Sequence, residues 1–123
     1  MKIEQIKDII ESHFEIDLNI KNRQYDVIKV RFFYYHCCYT YANEFLTYDK
    51  VGKSIGFNHA TVIYGLKEFK NIYNSDQNFK RQCMIVENIL IDKCENFIDE
   101  SDFQLKKKEF IFRRIEQLKK MIF

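Results

Sequence analysis

The sequence predicts an all-α fold, and three observations point there. Proline is absent and the only glycines are Gly52, Gly56 and Gly65. A many-turned β architecture spends such residues at every hairpin. Apolar side chains recur at helical spacing along most of the chain. With 123 residues, 46% apolar and 31% charged, the composition is that of a soluble globular domain able to bury roughly two thirds of its unfolded surface. The glycine pattern excludes a P-loop and a dinucleotide fingerprint, and no run approaches the roughly 18 apolar residues of a membrane span.

The elements follow in order. Ile3, Ile6, Ile10 and Phe14 mark a first helix over Lys2–Phe14. Glu15–Gln24 loses that period and collects Asp17, Asn19, Lys21, Asn22 and Arg23, which reads as a polar connector. Val27, Val30, Tyr34, Cys37 and Tyr41 form the stripe of a second helix over Asp26–Asn43. Thr47 is placed to cap a short helix that carries Val51 and Ile55 and ends at Gly56. Asn58 is placed to cap a longer one, with Val62, Leu66, Phe69 and Tyr73 facing inward. Two further helices are expected, over Gln77–Phe97 and Asp102–Ile122. The last has an apolar stripe of Ile111, Ile115, Leu118 and Ile122, with Lys106, Lys107, Arg113, Arg114 and Lys120 to one side.

The four cysteines, Cys37, Cys38, Cys83 and Cys94, form no CxxC pair. Neighbouring helical side chains diverge, so Cys37 and Cys38 are expected neither to bridge nor to converge with His36 on a zinc ion. Residues Met1–Ile10 show no apolar leader. The expectation is a reduced, cytoplasmic protein whose thiols are small buried hydrophobes. No nucleophile–base pair, carboxylate dyad or metal-ligand spacing stands out, so neither an enzyme nor a cofactor is expected.

The formal charge of +2 conceals alternation. Residues 1–20 carry a net −3, 21–74 a net +4, 75–100 a net −3 and 101–123 a net +4. Basic stretches suit a polyanion, although an excess this modest is most often only a solvated face.

Short helix, glycine turn and longer helix make the pattern of a helix-turn-helix. Its residues, Val51–Leu66, read VGKSIGFNHATVIYGL. This segment resembles the helix-turn-helix of the C-terminal DNA-binding domain of the bacterial replication initiator DnaA, whose pattern is close to IGxxFGGRDHTTVLHA. Val51, Gly52, Ile55 and Gly56 stand for its first isoleucine, glycine, phenylalanine and glycine. Asn58, His59, Ala60, Thr61 and Val62 stand for its DHTTV stretch. Lys21-Asn22-Arg23 and Lys29-Val30-Arg31 sit where the family has its basic loop and the following helix. The likeness covers roughly residues 3–74. The turn is one residue shorter, and Phe57 replaces a glycine and an arginine. Tyr25 and Asp26 replace an arginine and a serine.

The resemblance implies a helix-turn-helix domain at 1–75, and the periodicity beyond it adds a two-helix extension at 76–123. The resemblance further implies a stand-alone double-stranded DNA-binding module without ATPase activity, related to replication or transcription. In a helix-turn-helix the start of the second helix meets base edges in the major groove. Asn58, His59, Ala60 and Thr61 are therefore the expected base contacts. Arg23, Lys29, Arg31, Lys50, Lys53 and Lys67 are the expected phosphate or minor-groove contacts. A protein-interaction module that keeps the fold without DNA affinity is the alternative. In either case residues 76–123 offer a surface for a homodimer or a partner protein.

Overall fold

The computed structural model describes residues 1–21 and 23–96, with side chains to Cys94. The expected last helix, Asp102–Ile122, lies outside the described residues. Among the described residues five helices follow one another: α1 (Ile3–Phe14), α2 (Tyr25–Tyr41), α3 (Tyr48–Ser54), α4 (His59–Ser75) and α5 (Gln77–Asn96). The described residues contain no strand, and the all-α expectation holds.

α1 buries Ile3, Ile6 and Ile10 and stops where Glu15 takes the left-handed conformation, at φ 56°. The connector beyond it is less polar in effect than in composition. Leu18 is fully buried, and its N–H donates to Glu11 Oε2 at 2.9 Å. Its three apolar side chains, Ile16, Leu18 and Ile20, fall at every second position and break the helical period, and only Leu18 is fully buried, which is why the sequence shows only a connector.

α2 was expected to bury one stripe and instead is buried almost all round. Val30 through Cys38, Thr40 and Tyr41 are all inaccessible. The physical reason is its position. α1, α3, α4 and α5 all pack against it, and a helix enclosed on every side is apolar on every side.

The enclosure is built on aromatic rings. Phe33 of α2 lies 5.8 Å from Phe69 of α4, 6.1 Å from Phe14 of α1 and 6.3 Å from Phe79 of α5, centroid to centroid. Offset and edge-on pairs of this kind add about 0.5–1.5 kcal/mol each beyond the area they bury. α5 contributes Phe79, Cys83, Val86, Leu90 and Cys94 to this same core. Where α4 crosses α2, Gly65 leaves room for two rings. A Cβ there would sit 2.6 Å from Phe32 Cδ1 and 2.8 Å from Tyr35 Cδ2.

A buried histidine and a buried carboxylate face each other inside. His36 stacks on Phe69 at 4.7 Å, with its Nε2 3.9 Å from Glu87 Oε1. Glu87 Oε2 accepts from the Tyr41 hydroxyl at 2.9 Å. Protonation would give His36 a carboxylate partner, but loss of hydration outweighs that attraction and pushes its pKa down to about 4. All four cysteines are free and buried. Burial pushes the Cys38 thiol up to about 12 and holds Cys37 and Cys83 above the ordinary range as well.

Two predictions follow from these buried groups. A histidine held neutral in the fold stabilises it above its unfolded pKa of 6.5, and that contribution is lost as the pH falls toward 4. The loss amounts to about 3 kcal/mol on an order-of-magnitude basis. Denaturant melts at pH 7 and pH 4.5 should therefore converge in His36→Phe relative to the unmodified chain. An unchanged pH dependence would remove His36 as its source. At pH 8 an aromatic disulfide reagent should leave the four thiols of the folded chain untouched and titrate all four in denaturant. Rapid labelling of the folded chain would contradict their burial.

Candidate nucleic-acid interface

α3 starts at Thr47, whose Oγ1 accepts the Lys50 N–H at 3.1 Å. It stops through two reversed hydrogen bonds. Phe57 N–H donates to Gly52 O at 2.8 Å and Gly56 N–H to Lys53 O at 3.2 Å, around Gly56 at φ +80°. This is the Schellman arrangement, which needs a left-handed residue where Gly56 stands.

The turn then folds back on α3 at Gly52. A Cβ there would lie 2.7 Å from Phe57 O and 2.8 Å from Asn58 O, both backbone atoms. The absence of that carbon sets how closely the start of α4 approaches α3. Beneath the pair, the buried Tyr34 hydroxyl meets Ser54 Oγ at 2.6 Å and ties α3 to α2.

Asn58 caps α4. Its Oδ1 accepts from the Thr61 N–H and the Thr61 hydroxyl, both at 3.0 Å. The capping oxygen is thereby engaged, and the amide nitrogen of the same side chain remains as a donor at the surface. Asn58, His59 and Ala60 are exposed and Thr61 is half-buried, so the four expected base contacts lie together on the first turn of α4 and its cap. The first turn of a helix also carries a partial positive charge from its unpaired N–H groups.

The expected phosphate contacts divide. Lys50, Lys53 and Lys67 are exposed on α3 and α4. Lys50 pairs with Glu44 at 3.1 Å and Lys53 with Asp49 at 2.8 Å, and the Asp49 carboxylate raises the Lys53 pKa. Exposed pairs of this kind are worth about 0–1 kcal/mol, so a phosphate can replace the carboxylate partner. Arg23 is exposed in the connector before α2.

Lys29 and Arg31 are placed otherwise. Lys29 stands 3.3 Å from both Asp26 and Asp76, with its ammonium over the Tyr25 and Phe79 rings. Two carboxylates already balance its charge. Arg31 is only 5% exposed. Its Nη2 donates to Ile20 O at 2.8 Å, and its guanidinium lies 4.3 Å from the Phe57 ring centroid. Arg31 thus spans from the connector to the α3–α4 turn and holds Ile20, next to Lys21 and Arg23, beside that turn. It is buried as a brace and does not present its charge to solvent.

Sequence reasoning passed over Tyr64. It is 59% exposed, edge-on to Phe32 at 5.9 Å, one helical turn beyond Ala60 and three residues before Lys67. The i, i+4 spacing from Ala60 could have revealed it. Among the described residues, no three His, Cys, Asp or Glu side chains gather to hold a metal ion, and no helix is long and apolar enough to cross a membrane. No family model, curated protein or solved structure matches the chain.

The close approach at Gly52 generates a prediction. Its obstructing atoms are backbone carbonyls, which cannot turn aside as a flexible side chain can. Gly52→Ala should cost about 1–3 kcal/mol of stability, the range for forcing an extra carbon into a filled space. Asn58→Ala should cost about 0.5–2 kcal/mol through the lost cap, whereas Asn58→Ser should be close to neutral. Thermal or urea melts of the three variants provide the check.

Proposed function

We propose that the chain binds double-stranded DNA, with α3, the Ile55–Asn58 turn and α4 acting as a helix-turn-helix. In this reading the first turn of α4 enters the major groove. The observation that carries it is the exposure of Asn58, His59 and Ala60 at the start of a 17-residue helix whose approach to α3 is set at Gly52.

Each exposed group has a matching chemistry. The Asn58 amide can donate to an adenine or guanine acceptor while its oxygen keeps the cap. His59 can give or take a hydrogen bond at a base edge, and Ala60 suits a thymine methyl. Thr61 reaches a phosphate or base if it releases its side-chain bond to Asn58. Lys50, Lys53, Lys67 and Arg23 meet phosphates, while Arg31 and Lys29 are spent inside the fold. The sequence likeness to the DnaA C-terminal domain supports the same reading. It also favours a module without ATPase activity, acting in replication or transcription inside the cell.

A protein-interaction module is the second reading. It is favoured by the exposure of three large aromatic side chains near α3 and α4: Phe45 at 87%, Tyr64, and Tyr48. The modest cation excess on these helices favours it too.

Salt separates the two. With four phosphate contacts, log K should fall against log salt with a slope of about −3.6, or about a hundredfold in affinity between about 50 and 200 mM. Fluorescence anisotropy of a labelled random duplex reads this directly. Lys53→Ala should weaken binding to every duplex and flatten the slope by about one unit. Once a preferred site is selected, His59→Ala should cost about 1–3 kcal/mol mainly on that site. Absence of binding at the lower salt by a folded chain would transfer the assignment to a protein partner.

A further inference from the structure

The buried and exposed residues of α5 divide by helical angle. Phe79, Cys83, Val86, Leu90 and Cys94 turn into the core against α1, α2 and α4. On the opposite side Arg81, Met84, Ile85, Asn88, Ile89 and Asp92 are all exposed and fall within an arc of about 140°. The middle of that strip is apolar: Met84 is 38% exposed, Ile85 47% and Ile89 36%. Ile89 also lines an open groove between α5 and α1 that contains Ile9. A helix that turns one face to solvent ordinarily keeps polar residues there, and apolar side chains gathered on it mark a contact surface.

The charges at the ends of the strip select what covers it. Arg81 stands at its N-terminal end and Asp92 at its C-terminal end, about three turns apart on one line along the helix. Neither is paired with an opposite charge among the described residues. A strip with a cation at one end, an anion at the other and apolar side chains between is complementary to itself when turned end for end.

We propose that the outer face of α5 pairs antiparallel with the same face of a second copy of this chain. A twofold axis at the level of Val86 and Glu87 sets Arg81 against the partner subunit's Asp92, and Asp92 against the partner subunit's Arg81. The same axis sets Ile85 against the partner subunit's Asn88 and Met84 against the partner subunit's Ile89. A parallel pairing would instead place arginine on arginine and aspartate on aspartate, and like charges brought together oppose association.

The size of the face sets the strength of the pairing. Two single helix faces bury less than about 1,200 Å² in total, the class of weak and reversible associations. The paired residues are also distinct from the proposed DNA contacts. α5 follows the end of α4, about 25 Å along that helix from Asn58.

The test uses the full chain without DNA, which keeps it independent of the DNA-binding reading. Sedimentation equilibrium at low salt, from about 10 to 500 μM, should show a reversible monomer–dimer equilibrium. Ile85→Asp should weaken the dimer about tenfold or more by placing a charge in the apolar middle. Arg81→Asp and Asp92→Arg should each weaken it by about tenfold, because the twofold axis turns one substitution into two like-charge contacts. The double variant Arg81→Asp/Asp92→Arg restores opposite charges and should return to within about threefold of the unmodified chain. All three positions are exposed, so the core is left intact. A folded chain that stays monomeric throughout would overturn the proposal and give the face to another occupant. A dimer indifferent to Ile85→Asp would place the contact on another surface. A double variant no tighter than the single ones would reject the antiparallel pairing.

Discussion

Phe33 is the point on which the molecule turns. It meets Phe14, Phe69 and Phe79, so rings from α1, α4 and α5 converge on one residue of α2. A helix that touches every other helix of the described residues has little room for a wet face, and α2 has almost none. Its Tyr34 anchors α3 through Ser54, its Phe32 and Tyr35 receive α4 at Gly65, and its Arg31 braces the turn. Truncating Phe33 would open a cavity at the meeting of four helices, where losses of about 3–5 kcal/mol are usual.

The surface depends on that interior through very short distances. α4 can lie against α2 because Gly65 lacks a Cβ, and against α3 because Gly52 lacks one. Gly56 supplies the left-handed residue that joins the two helices. Each glycine therefore has its own physical task, and together they present the first turn of α4 outward while its Val62, Phe69 and Tyr73 remain inside. The proposed recognition surface is the outer edge of a packing solution, which is why rigidity there costs no extra structure.

Much of this was legible in the sequence. Ile3, Ile6 and Ile10, the Thr47 and Asn58 caps, and the stop at Gly56 all read correctly, because caps and periodicity are local and each has a residue signature. What escaped was set by tertiary contact. The all-round burial of α2 follows from having four neighbours, which no stripe within α2 can encode. Leu18 joins the core from a connector whose backbone is held to Glu11 of α1. Arg31 reads as an exposed cation in any linear scan, and only the proximity of Ile20 and Phe57 turns it into a brace. The same holds for Lys29, whose second carboxylate, Asp76, is 47 residues distant. Among the proposed contact residues, the first turn of α4 was legible because a cap followed by polar and small residues marks a helix start. The division of the cations into surface and brace was not.

The most direct test is to map the surface that a short duplex touches, by amide NMR shifts of the full chain titrated at low salt. The account predicts that the largest shifts fall on Asn58 through Thr61, with smaller ones at Lys50, Lys53, Tyr64 and Lys67, and little change along α1 and α5. Shifts centred on α1 and α5, or none anywhere on a folded chain, would contradict it.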